Sequence, residues 1–168
     1  LVCCARRGAR VLGVEADHTL ASLALKNLME NDLAAARASC LYWVGYDETL
    51  LFLASETREG NLGATTYLPS SARRSDLVGG GPLDLFLSHC TTSLIKVDAQ
   101  GADRRVLLGL SQTIQRDHPA IVYEYESDLA KLHGDSAEDY AGLQVWLRGL
   151  GYAVEESKTH PNNFVCKR

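Results

Sequence analysis

Apolar residues recur along this chain in two periods, and the switches between them outline its elements. Val11, Leu12 and Val14 make a short run closed by Glu15, and predict a buried strand within Ala9–Asp17. Leu20, Leu23, Ala24 and Leu28 then fall at i, i+3, i+4 and i+8, one stripe of an amphipathic helix. Asp17 or Thr19 suits its cap, and "ENDL" its end. Gly8 fits the position just past a helix, so "LVCCARR" reads as the last turns of an earlier one. Cys40–Tyr46 and Leu50–Ser55 are rich in strand formers, with "DET" as a tight connection.

From Glu56 to Pro82 the texture turns polar and Gly/Ser-rich, which predicts a long loop region with a short strand at "ATTYL". Gly79-Gly80-Gly81 lacks the Lys-Ser/Thr of a phosphate loop and reads as a flexible tether. Periodicity returns with a strand at "SLIKVD" and a helix over Ala102–Asp117, whose inner face is Val106, Leu107, Leu110 and Ile114. Pro119 stops that helix and Ala120–Glu126 follows as a strand. Ser136 and Asp139 have capping-box spacing ahead of the stripe Tyr140, Leu143, Leu147 and Leu150. "GYAVEE" and "NFVCK" read as a closing hairpin around "KTHPN". Trp43 and Trp146 fall on apolar faces and are expected in the core. Strand–helix alternation predicts an α/β layer with a largely parallel sheet and one antiparallel edge.

Composition narrows the class. At 168 residues the chain suits one domain, taken as residues 1–168. Its net charge of −4 and scattered Arg pairs give no phosphate-tracking stripe for nucleic acid. No run approaches the roughly 18 apolar residues of a membrane span. The five cysteines show no C-x-x-C spacing, which fits a reducing compartment, cytoplasm or organelle matrix, and the histidines show no metal-ligand spacing.

The candidate chemistry lies in acids at strand ends. In open parallel sheets, ligands bind beyond the carboxyl ends of the strands. Glu15, Asp98, Glu124 and Glu126 are all expected there. A carboxylate ending the second strand of a doubly wound fold accepts from both ribose hydroxyls of an adenine nucleoside cofactor, so Glu15 suits a dinucleotide or S-adenosylmethionine alike. Asp103, at the start of a predicted helix, is expected to cap it.

Several blocks together resemble the FkbM-type, S-adenosylmethionine-dependent methyltransferases of the class I fold. "VLGVEAD" with "LKNLMENDL" is similar to that family's second-strand segment, and "LIKVDAQGADRRVLLGL" to its strand-to-helix motif K-I-D-V-E-G-A-E with V-L-x-G. "HPAIVYEYE" resembles its P-x-I-x-x-E strand, "LRGLGYAVEE" its L-G-Y-x-V turn, and Leu83-Asp84 its L-D element. The resemblance runs from about Val11 to Lys167 and implies a Rossmann-like sandwich transferring a methyl group to a hydroxyl oxygen.

It implies cofactor contacts at Glu15, Ala16 and Asp47, the last near the adenine. Asp98, with Glu124 nearby, would orient an acceptor hydroxyl, take its proton, or hold a metal ion. Asn61 and Thr65-Thr66 would cover the acceptor, a small molecule or glycan. The chain departs from the family at Ala16, Gln100 and Asp103, and the first strand with its Gly-rich loop has no counterpart. Roughly 20 to 40 residues, a strand and a loop, are therefore expected ahead of Leu1. Those departures keep a second reading open, an inactive methyltransferase-like scaffold bound to other protein subunits. Glu15 alone also allows a third, an NAD-dependent oxidoreductase.

Overall fold

Among the described residues the strands form three hydrogen-bonded groups, and the chain crosses between the first two at Trp43. In the computed structural model, residues 1–34, 37–54, 65–71 and 77–168 are described. Helix α1 (Val2–Arg6) ends as expected at Gly8, whose φ of +93° lets its N–H return to the Ala5 carbonyl. Strand β1 (Val11–Glu15) follows, and Asp17 caps α2 (His18–Met29) by accepting from the Leu20 N–H at 2.9 Å. Strand β2 (Ala38–Tyr42) lies parallel to β1, from Val11 opposite Ala38 to Glu15 opposite Tyr42.

The expected strand over Cys40–Tyr46 is two strands. The Trp43 N–H extends the first ladder by donating to the Glu15 carbonyl, but β3 (Val44–Gly45) pairs instead with β6 (Val78–Gly81). Strand β4 (Leu50–Ala54) runs antiparallel to β6 on one side and to β5 (Tyr67–Pro69) on the other. Gly79-Gly80-Gly81 is thus an inner strand and not a tether. Its glycines serve by being small: a Cβ on Gly80 would stand 2.4 Å from the Phe52 ring, and one on Gly79 3.0 Å from Trp43. The Trp43 indole N–H also donates to the Gly81 carbonyl at 3.2 Å. Of the expected loop, residues 55–64, Asn61 among them, and 72–76 lie outside the described residues.

After α3 (Asp84–Leu87), β7 (Leu94–Lys96) pairs in parallel with β8 (Ala120–Glu124). Strand β10 (Asn163–Lys167) is antiparallel both to β8 and to the edge strand β9 (Ala153–Glu156), so the expected hairpin is present. Three parallel pairings stand beside four antiparallel ones among the described residues, which makes the sheet mixed and corrects the largely parallel expectation.

The single helix expected over Ala102–Asp117 is also two: α4 (Asp103–Leu108) and α5 (Ser111–Asp117). Gly109 rests on the Tyr46 backbone, where a Cβ would meet the carbonyl oxygen at 2.1 Å. The Asp84 carboxylate then starts α5 afresh, accepting from the N–H groups of Gln112 and Thr113 and from the Thr113 hydroxyl at 2.6 Å. Helix α6 (Ser127–Ala130), a short 3-10 turn at Lys131–His133 and α7 (Ala137–Gly149) complete the fold, α7 carrying the expected Ser136–Asp139 capping box.

Ile95, Ile121, Tyr123 and Cys166 turn one sheet face onto Leu107, Ile114, Leu143 and Leu147, with Trp43 and Trp146 at the margin of this core. A fully buried Leu or Ile stabilises by about 1.5–3 kcal/mol, so this packing holds the ends of β7 and β8 firmly. Among the described residues, no helix is long and apolar enough to cross a membrane.

Candidate functional site

Glu15 and Glu124 end β1 and β8 and Asp98 follows β7, as the sequence placed them, while Glu126 lies beyond β8 at the start of α6. Glu15 closes β1, and its Oε1 accepts from the Asp17 N–H at 2.9 Å. That bond bends the chain sharply into α2 and leaves the second carboxylate oxygen for another donor. Ala16, next along, is half-buried and packs with Ala99, Ala102 and Tyr67. A small residue there keeps the end of β1 close to the turn that follows β7.

Asp98 lies two residues beyond β7 and is half exposed. Its Oδ2 accepts from the Lys96 ammonium at 2.8 Å and its Oδ1 from the Gln100 amide at 3.4 Å. Glu124 ends β8. Burial, together with the charges of Asp98 and Glu126, pushes its carboxyl above its ordinary value. A raised carboxyl is a better proton acceptor near neutral pH, and the Asp98 charge contributes to raising that of Glu124.

Between them the chain reverses through Gln100 and Gly101, with φ of +50° and +95°. Asp103 does not cap α4 as expected. It is the first residue of that helix, behind Ala102, and is 1% exposed. Its Oδ2 accepts from the Ala99 N–H at 3.3 Å and its Oδ1 from the Glu124 N–H at 3.2 Å. The capping expectation failed because the two donors that reach it belong to the turn after β7 and the end of β8 and not to the first turn of α4.

A segment from the middle of the chain joins these parts. The Thr66 hydroxyl donates to the Gln100 carbonyl at 3.3 Å, and the next residue, Tyr67, donates through its hydroxyl to Asp17 Oδ2 at 3.4 Å. Two adjacent side chains thus reach both the β1 end and the β7 turn. Sequence reasoning passed over Tyr67 because its partner lies 50 residues away.

Asp47 is placed differently from the other candidates. Its Oδ2 accepts from Arg105 Nη1 at 3.1 Å, while its Oδ1 is buried without a partner among the described residues. One acceptor is therefore engaged by the fold, and the other is enclosed without a donor among the described residues. Among the described residues, no group of three or more His, Cys, Asp or Glu side chains is arranged to hold a metal ion.

Comparisons with known proteins bear on the fold and the family. None of the curated protein sequences matches the chain. Among solved structures, the crystal structure of methyltransferase FkbM from Methylobacillus flagellatus KT superposes with a TM-score of 0.60 at 14% identity, over 94% of this chain. At that identity the likeness speaks for the fold, and the chain spans only 36% of the length of that protein. The sequence model of the methyltransferase FkbM domain matches residues 3–154, and the chain belongs to that family.

Proposed function

We propose that this domain methylates a hydroxyl oxygen with S-adenosylmethionine as donor. The observation that carries the reading is the shared rim: Glu15, Asp98 and Glu124 stand at the carboxyl ends of three strands, with Thr66 and Tyr67 bridging between them. Glu15 holds the ribose diol through the oxygen that the Asp17 N–H leaves free, and Asp47 stands on the adenine side, held there by Arg105. Bound there, S-adenosylmethionine would supply a methyl group activated by a sulfonium sulfur, with a neutral thioether as the leaving group. Asp98 orients the acceptor hydroxyl, and the proton it sheds as the new O–CH₃ bond forms passes to Glu124, whose carboxyl is raised by burial. With an activated methyl group, alignment supplies much of the rate.

The finer fold belongs to the same proposal. Among the described residues β1 pairs only with β2 and β7 only with β8, so each has a free edge. A parallel strand between those edges, leading into a Gly-rich loop, would complete a Rossmann-like sheet and cradle the methionine part of the cofactor.

A specific observation favours the second reading. Lys96 already pairs with Asp98, and Arg105 with Asp47, so both carboxylates have partners within the fold, which suits a methyltransferase-like scaffold that binds other proteins. Calorimetric titration of S-adenosylmethionine into the natural full-length protein separates the two. Micromolar binding weakened by about 1–3 kcal/mol in Glu15→Ala supports the enzyme. A well-folded protein that binds none leaves the scaffold.

A further inference from the structure

We infer that Asp103 is the positioning residue of the acceptor side, its carboxylate clamping together the two chain segments that carry Asp98 and Glu124. The inference rests on the methyl-transfer reading for its purpose, but its geometry stands alone. An acid at the start of a helix ordinarily turns to the free N–H groups of the first turn. Asp103 turns both oxygens the other way, to Ala99 N–H and Glu124 N–H. Ala99 is the neighbour of Asp98, and the second N–H is that of Glu124 itself. Fixing these two atoms fixes the backbone from which both acceptor-side carboxylates spring.

Only a carboxylate suits the place. Two N–H donors approach different oxygens, so an amide side chain would satisfy one and present its own N–H to the other. The arrangement also carries a cost that packing alone would avoid. The carboxyl is almost wholly buried, and burial pushes it up to about 6 against the lowering effect of the two N–H bonds. Asp98, Glu124, Tyr123 and Tyr140 all face it, and no cation is among its bonded partners. A core position that needed only volume would hold an apolar residue more cheaply. Glu124, in turn, is faced by Asp98, Glu126 and Lys96. The clamp sets how strongly Asp98 and Glu124 feel one another, and so where the acceptor proton goes.

The test uses isotope-labelled natural protein and residue-resolved NMR. In Asp103→Ala, amide exchange at Ala99 and Glu124 is expected to quicken about tenfold, the loss of one charged hydrogen bond each, while Ile121 and Tyr123 in β8 stay protected. The side-chain carboxyl titration of Glu124 is then followed with and without Asp98→Asn. In the wild-type background that second change lowers the Glu124 midpoint; in Asp103→Ala its effect shrinks towards zero. Should Asp103→Ala not fold, Asp103→Asn gives the same readings with one amide released. Unchanged exchange at Ala99 and Glu124, or an equal Asp98→Asn shift in both backgrounds, overturns the clamp. Titrating S-adenosylmethionine into the same wild-type sample tests the methyl-transfer reading separately, since absent binding leaves the exchange result untouched.

Discussion

Arg105 and Asp47, 58 residues apart in the chain, meet through Nη1 and Oδ2 at 3.1 Å. The same guanidinium reaches Asp135 through Nε at 3.0 Å and the His133 carbonyl through Nη2 at 3.4 Å, and lies 5.7 Å from the centre of the Tyr46 ring. One side chain on α4 thus holds the end of β3 and the 3-10 turn before α7. All of its partners are buried or largely so. Arg105→Ala is expected to lower stability by about 2–3 kcal/mol, since it strands the Asp47 carboxylate and the His133 carbonyl, while Asp135 keeps its bond from Arg104. Arg105→Lys recovers less than half, because a point charge cannot serve three directions. Urea unfolding checks both. A loss below about 0.5 kcal/mol for the alanine variant would mean a solvent-screened pair.

The Leu83-Asp84 element supplies a second expectation. Leu83 is buried in the core, and Asp84 holds two N–H groups and one hydroxyl at the start of α5. Asp84→Ala is expected to cost about 1–2 kcal/mol, as for a lost helix cap, with hydrogen exchange quickened first in α5. Uniform loss of protection across the domain would count against a local capping role.

That element shows what the sequence does and does not disclose. Periodicity and strand-end acids place β1, β7, β8 and α7 nearly where they fold, because each is set by its own apolar stripe and local caps. Family-like spacing marked Leu83-Asp84 without saying what it does, since the donors to Asp84 lie 28 and 29 residues away. The break at Gly109 was hidden for the same reason. The stripe of Val106, Leu107, Leu110 and Ile114 satisfies one helix, and it is divided by the Tyr46 carbonyl against Gly109 and by the Asp84 carboxylate at the start of α5. Gly79-Gly80-Gly81 misled because glycine permits both a tether and a strand crowded by Phe52 and Trp43. Of the site, Glu15, Asp98 and Glu124 were legible as strand-end acids. The bridging of Thr66 and Tyr67, and the turning of Asp103 away from its own helix, depend on which distant donors arrive.

Gly101 and Gly142 make a matched pair. At Gly101, φ is +95° and a Cβ would stand 2.4 Å from the Leu129 carbonyl carbon. Backbone strain and collision then act together, and Gly101→Ala is expected to cost at least about 3 kcal/mol. Gly142 sits in α7 with nothing within 4 Å of such a Cβ. Gly142→Ala is expected to stabilise by about 0.5–1 kcal/mol through helix propensity. Thermal unfolding of both variants checks the pair, and equal effects would deny that the turn after β7 is tightly built.

Asp103 and His133 oppose each other in acid. Burial, with the charges of Asp98 and Glu124, pushes the Asp103 carboxyl from 3.8 up to about 6 despite its two N–H bonds. Burial and the nearby Arg105 push His133 from 6.5 down to about 4, and both of its ring nitrogens are buried without a partner among the described residues. From pH 4 to 6 the folded chain keeps an Asp103 proton that the unfolded chain has released, so this contribution to stability falls as pH rises, by about 3 kcal/mol in all. From pH 4 to 6.5 the unfolded chain binds a His133 proton that the folded chain lacks, so this contribution rises with pH. In the wild type the two largely offset. Relative to wild type, Asp103→Asn should therefore gain stability from pH 4.5 to 7, on top of a constant loss from one unmade bond. His133→Phe should instead gain as pH falls from 7 to 4.5. Urea midpoints at pH 4.5, 5.5 and 7 read both slopes, and variants that track the wild type at every pH would show that neither group titrates in the folded interior.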